Sequence, residues 1–162
     1  MEIDALLCDH AEVADGKLFI NGGAINLLYV PPQPPYVISL FVAVIVHVPY
    51  TETNQGHVVT VRLLDADGDE VAPWVPPGAG PVGPVQASTS FTVGRPANLQ
   101  PGESQTMPLA FGLQGLPLAN LGSYSFVIEI DGTVEKHLSA RLVVDSRGAG
   151  TPGPSDIPGL TR

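Results

Sequence analysis

Gly122-Ser-Tyr124-Ser-Phe126-Val-Ile128-Glu-Ile130, then Asp131-Gly132, then Thr133-Val-Glu-Lys-His-Leu138-Ser-Ala140-Arg-Leu142-Val-Val144 is the stretch that decides the fold. Two runs of alternating apolar residues flank an Asp-Gly pair, and that dipeptide tolerates the positive φ angles of a type I′ turn. No short-range signal for a β-hairpin is stronger. Outward from this hairpin the chain repeats the same grammar: a few alternating residues, then a break rich in Gly, Pro, Asn or Asp.

Upstream, Gln105 to Leu113 reads as a strand and Gln114 to Leu121 as a connection holding one helical turn. Val85 to Val93 alternates cleanly, with Val85, Ala87, Thr89, Phe91 and Val93 on one face. Val58 to Leu64 and Glu70 to Trp74 flank Asp67-Gly68 and read as a second hairpin. Tyr36 to Val48 is the longest strand candidate. Before it, Pro31 to Pro35 stops any ladder, because four of its five residues have no N–H to donate, and a crossing between sheets would use such a segment. Near the N-terminus, Ile3 to Cys8, Lys17 to Ile20 and Ala24 to Val30 read as strands. They are separated by a turn at Ala14-Asp15-Gly16 and a turn or bulge at Asn21-Gly22-Gly23. About nine short strands with breaks every 8–12 residues or so predict a sandwich or barrel. The expectation is an all-β domain over residues 1–145, an antiparallel β-sandwich, followed by a Gly/Pro-rich tail over 146–162 without periodicity, read as disordered.

The corner before the deciding hairpin adds to this. Leu118-Ala-Asn120-Leu-Gly122-Ser-Tyr124 resembles the tyrosine corner of immunoglobulin-like sandwiches, in which a tyrosine hydroxyl bonds back to the chain a few residues upstream. The second cysteine of the disulfide-bonded variety would fall at Phe126, so the resemblance implies an immunoglobulin-like architecture without its disulfide. A further resemblance lies at the other end. Ala5-Leu-Leu-Cys8-Asp9-His-Ala11, then Gly16-Lys17-Leu18, then Gly22-Gly23 is similar to the opening of a family of small, functionally uncharacterised bacterial proteins with a β-rich body. That family implies a shared fold running to about Val144. It implies no catalytic residues.

Composition narrows the function classes. The chain has 162 residues and is 44% hydrophobic, yet only 14% is charged, against about 25% in an average globular domain. Its surface is therefore unusually neutral, or part of it is covered. Net charge is −9 with seven Lys and Arg, and Arg62, Arg95, Arg141 and Arg147 are isolated in sequence. Phosphate backbones and anionic lipids would be repelled, so neither nucleic acid nor a membrane is expected as a partner. One cysteine, Cys8, forms no internal disulfide, and an N-terminus with two acids in its first four residues lacks the basic region of a secretory signal. The longest apolar run is shorter than the ~20 residues of a membrane helix. A cytoplasmic location is expected.

Each chemical motif has a plainer explanation. Cys8-Asp9-His10 places nucleophile, acid and base types side by side, but on a strand Asp9 points away from the other two, so no relay forms. Asp65, Asp67, Asp69 and Glu70 suggest a calcium loop, yet Gly68 and the flanking strands do not match a helix–loop–helix site. An exposed acidic hairpin tip accounts for them, with at most a weak surface calcium site. His10, His47, His57 and His137 show no metal-ligand spacing, although His47 and His57 flank one connection. No catalytic, cofactor or metal residues are assigned, and no enzyme is expected.

The strand Tyr36 to Val48 is the functional clue. Ile38, Leu40, Val42, Val44, Val46 and Val48 share one face; Val37, Ser39, Phe41, Ala43, Ile45 and His47 share the other. Both are mostly apolar, whereas a two-layer sandwich buries one face of each strand. The second face is covered either by this chain's own loops and Pro-rich segments or by a protein partner, another copy included. Ile38, Leu40, Phe41, Val42, Val44 and Trp74 are the interface candidates. The expected function is a non-enzymatic binding or assembly module that works through an apolar sheet face and Pro-rich loops. The alternative is an apolar ligand held between the sheets, in a cavity near Phe41 and Tyr124.

Overall fold

The structure is a computed structural model and describes residues 1–145; the tail expected over 146–162 lies outside the described residues. Nine strands run in chain order: β1 (Glu2–Ala14), β2 (Lys17–Gly23), β3 (Leu27–Val30), β4 (Tyr36–Pro49), β5 (Gly56–Leu64), β6 (Gln86–Thr92), β7 (Ser104–Leu118), β8 (Gly122–Ile130) and β9 (Thr133–Val144). A 3-10 turn at Tyr50–Glu52 is the only helical element among the described residues. The strands form a four-stranded sheet, β2-β1-β4-β7, and a five-stranded sheet, β3-β9-β8-β5-β6. The fold is an all-β, immunoglobulin-like sandwich.

The deciding hairpin is in place. β8 and β9 pair antiparallel across a turn in which Asp131 and Gly132 both have positive φ, 51° and 80°. A second tip of the same kind, Asp15 (50°) and Gly16 (69°), joins β1 to β2. Gly enters this region freely and Asp or Asn at a smaller cost than other side chains, which is why Asp-Gly marks both tips. The tyrosine corner is also present: the Tyr124 hydroxyl donates to the Asn120 carbonyl at 2.6 Å.

The inter-sheet core takes one face from each strand. Leu40, Val42, Val44, Val46 and Val48 of β4 meet Val59, Val61 and Leu63 of β5, Phe126 and Ile128 of β8, and Leu142 of β9. Apolar burial of this kind, at about 25 cal/mol per Å², is the main favourable term in the fold.

Several expectations change. β1 runs six residues past Cys8, and β2 continues through Asn21-Gly22-Gly23 rather than turning there. The break falls instead at Ala24, which has φ +67°. β3 then joins the other sheet and pairs parallel to β9, so the sandwich is not wholly antiparallel. Residues 31–35 do carry the chain between sheets, from β3 back to β4. The strand expected over Glu70 to Trp74 shrinks to a single bridge between Leu64 and Glu70. There Val71 donates to the Leu63 carbonyl, the Val71 carbonyl receives the Val85 N–H, and β6 takes over the edge of β5. Finally, Gln114 to Leu118 is strand, not a helical connection. β7 accommodates Gln114 and Gly115 as a bulge opposite Ser39, whose hydroxyl accepts the Gly115 N–H at 3.0 Å.

Candidate functional site

β4 presents its even-numbered residues to the core and its odd-numbered residues outward. Ile38, Leu40, Val42 and Val44 are all 4% exposed or less and belong to the inter-sheet core. They therefore cannot form an interface; this corrects the sequence expectation. Of the six candidates, only Phe41 lies on the outer face of the four-stranded sheet. Trp74 lies elsewhere, half-buried in the Pro-rich connection, its N–H bonded to the Pro117 carbonyl of β7 at 2.8 Å. Phe41 and Tyr124 likewise part company: Tyr124 is in the inter-sheet core and Phe41 is in the outer cluster, so they line no common cavity.

The outer face is built as follows. Phe41, Ala43 and Ile45 of β4 sit between Cys8, Leu6 and Asp4 of β1 and Gly112, Ala110 and Pro108 of β7. Phe41 lies across Gly112, where an added Cβ would come within 3.1 Å of its ring. Beyond Cys8 the β1–β2 hairpin leaves the plane of the sheet. β1 and β2 approach β7 directly, although β4 separates them from it in hydrogen-bonding order. Ala11 and Leu18 thereby pack on Ala43, Phe41 and Ala110, forming a second small apolar cluster. The hairpin is the chain's own cover for this face.

The cover is partial. Between hairpin and sheet lies a shallow cavity of about 240 Å³ lined by Leu6, Leu18, Ile20, Ala43 and Ile45, with Asp4 and Lys136 at its rim. Ile20 is 42% exposed, Phe19 on the hairpin's other side is 51% exposed, and Val37 at the start of β4 is 51% exposed. Asp4 also bonds His47 at 2.9 Å, which places a polar border along this side. In the sequence reading Ala43 and Ile45 stand on the second apolar face of β4 but outside the interface candidates, and Leu6, Leu18 and Ile20 are outside them too. The available signal was Ser39 and His47: both fall on the odd-numbered face of β4, and polar interruptions mark the side away from the core.

The reactive residue types are placed as structure. Cys8 is 0% exposed, and burial, helped by the Asp9 charge, pushes its thiol above the ordinary value; the thiol is an inert small hydrophobe. His10 meets the Phe41 ring edge-on, while the Asp9 carboxylate lies against Gly22, where no Cβ would fit. The Asp65 carboxylate is taken up by its own turn, accepting from the Asp67 and Asp69 N–H groups at 3.0 Å each. Among the described residues no three His, Cys, Asp or Glu side chains converge on a point that would hold a metal ion. His47 and His57 do not meet: His47 pairs with Asp4, and His57 with Asp131. Among the described residues no helix is long and apolar enough to cross a membrane.

No curated protein matches this sequence. A family model does, over residues 3–143, spanning both sheets and the β1–β2 hairpin, and the chain belongs to that family, a family of unknown function designated DUF6941.

Proposed function

We propose that the protein is a non-enzymatic binding or assembly module that docks a protein partner on the outer face of the four-stranded sheet, beside the β1–β2 hairpin. One observation carries this reading: an outward sheet face is apolar enough to bury Cys8 and Ala43 under the hairpin, yet leaves Ile20, Val37 and a groove of Leu6, Leu18 and Ile45 open. Open apolar surface of this kind on a sandwich favours association. The Pro-rich segments at residues 31–35 and 75–84 border the same sheet, the first leading into β4 and the second pinned to β7 through Trp74. The reading takes a bacterial cytoplasm as the compartment, on the N-terminal resemblance and a lone buried thiol.

Light scattering on the full chain across a concentration series tests it, with Ile20→Glu as the probe because that side chain is already 42% exposed. The expected result is a mass that rises with concentration and falls to that of one chain in Ile20→Glu. A wild-type chain that stays monomeric and retains no protein in an Ile20-dependent manner ends the reading.

A further inference from the structure

His57, at the start of β5, is 5% exposed and both of its ring nitrogens are engaged. Nδ1 lies 2.8 Å from the Asp131 carboxylate, and Nε2 lies 2.9 Å from the Glu52 carbonyl. A carbonyl oxygen never donates. The Asp131 carboxylate also accepts the Val58 N–H at 2.8 Å and acts there as an acceptor. Two acceptors facing one ring need two N–H donors, and only the imidazolium has both. The ring packs at 5.5 Å against Phe91 of β6, which offers no competing polar group.

We propose that His57 is a protonation-dependent latch that joins the 50–54 turn to the β8–β9 hairpin tip and releases the Glu52 carbonyl when the ring loses its proton. The neutral ring keeps one N–H, and the charge-assisted bond to Asp131 is the stronger to hold. The turn then keeps its remaining ties: the Arg95 guanidinium, which donates to the Thr53 hydroxyl and the Tyr50 carbonyl, both at 2.7 Å, and lies over the Tyr50 ring, and the backbone bonds of Tyr50 to Glu103 and of Asn54 to Val93.

The charged groups around the latch favour a retained proton. Asp131 faces the ring from the hairpin tip, and Glu52 faces it from the turn. Arg95, just past β6, bonds the same turn at the Tyr50 carbonyl. The Met1 ammonium acts on Asp131 from the chain start, where it is itself 3.8 Å from Glu135. The hydrogen bond to Asp131, followed by that to the Glu52 carbonyl, raises the imidazole above its ordinary value, and burial opposes them. About half of the Asp131 side chain is in water, which screens the pair. A raised folded-state value means that the latch stabilises the fold fully below about pH 6.5, the ordinary imidazole value, and that this is lost as pH rises through the folded-state value.

An NMR titration of the four imidazoles in the full chain, with amide exchange at Asn54, tests the proposal. Asn54 donates its N–H to the Val93 carbonyl at 2.8 Å and so reports on the turn. The expected result is a His57 ring that titrates above pH 6.5, with Asn54 exchange, corrected for intrinsic rate, accelerating about 2- to 10-fold across the same step, as the loss of one hydrogen bond implies. His57→Gln abolishes that step, and Asp131→Asn moves it to lower pH; the second variant keeps the test sharp if the first fails to fold. A His57 that titrates at or below pH 6.5, or an Asn54 step indifferent to both variants, overturns the latch. Neither result bears on the apolar face.

Discussion

The outer faces of the two sheets obey the same alternation and end in opposite chemistry. On the five-stranded sheet, Thr60 and Arg62 of β5, Ser125 and Glu129 of β8, and His137 and Ser139 of β9 face outward, and exposed Ser88, Ser90 and Thr92 continue the polar surface on β6. Its apolar members are few: Val127 is buried between its ladder neighbours Arg62 and His137, and Val58 stays 46% exposed. On the four-stranded sheet the corresponding positions are Leu6, Cys8, Phe41, Ala43, Ile45 and Ala110, and part of the chain must fold back to shield them. A sandwich thus needs only one apolar face per sheet, and the second apolar face on the β1-β4-β7 side demands an explanation beyond folding. The β1–β2 hairpin covers part of it, and the open groove is the observation on which the proposed docking rests.

The largest effect separates the two faces of β4 itself. Leu40 is 0% exposed, so Leu40→Ala removes buried methyl groups and leaves a cavity; a loss of about 2–5 kcal/mol is expected by chemical denaturation. Val37, exposed on the other face, is expected to cost under about 1 kcal/mol when changed to Ala. Equal costs would undo the assignment of faces. Next in size is a leucine placed on each outer face. Ala43→Leu forces extra carbons under the hairpin and is expected to destabilise by about 1–3 kcal/mol. Ser139→Leu, on the exposed polar face, is expected to stay within about 0.5 kcal/mol. A tolerated Ala43→Leu would mean that the hairpin does not press on the sheet.

What could be seen in the residues before the fold was known follows from the range of the physics involved. Asp15-Gly16 and Asp131-Gly132 were legible as turns because a positive φ is a demand on the local chain alone. Tyr124 was legible as a corner because its partner, Asn120, lies four residues upstream. The end of β7 was not. Gly115 and Pro117 look like breakers, but β7 is an edge strand: its outward groups need no partner, and a Pro opposite Val37 removes nothing that the ladder uses. The parallel pairing of β3 with β9 was illegible for a different reason, since alternation fixes which way side chains point and not the direction in which a neighbour runs. The candidate site was half legible. The two-faced character of β4 is plain in the residues, yet Ile38, Leu40, Val42 and Val44 lie on its core face, because a purely apolar series is the mark of a core and the interrupted series carrying Ser39 and His47 is the outward one. The folding of the hairpin over β4 rests on contacts between distant segments and leaves no local trace.

The smallest effect belongs to the polar side and sharpens the contrast through salt. Arg62 spans the outer face of the five-stranded sheet, donating to Glu70 on the Asp67-Gly68 turn at 3.0 Å and to Glu129 on β8, while its Nε is buried without a partner. The pairs gain Coulomb energy, but the Arg62 side chain is more than a quarter exposed and the pairs are screened, and the orphaned Nε offsets part of the gain. Arg62→Met keeps the aliphatic stem and removes both the pairs and the orphan, so a change of no more than about 1 kcal/mol is expected in dilute buffer. Raising the ionic strength toward 1 M shortens the Debye length to about 3 Å and should narrow even that difference. Association through the apolar face carries the opposite dependence, because salts excluded from protein surfaces strengthen apolar burial. Sulfate that drives wild-type chains together while Ile20→Glu stays apart would place the contact on the hairpin side of the molecule; loss of association in salt would place it on the charged side, and the apolar groove would need another purpose.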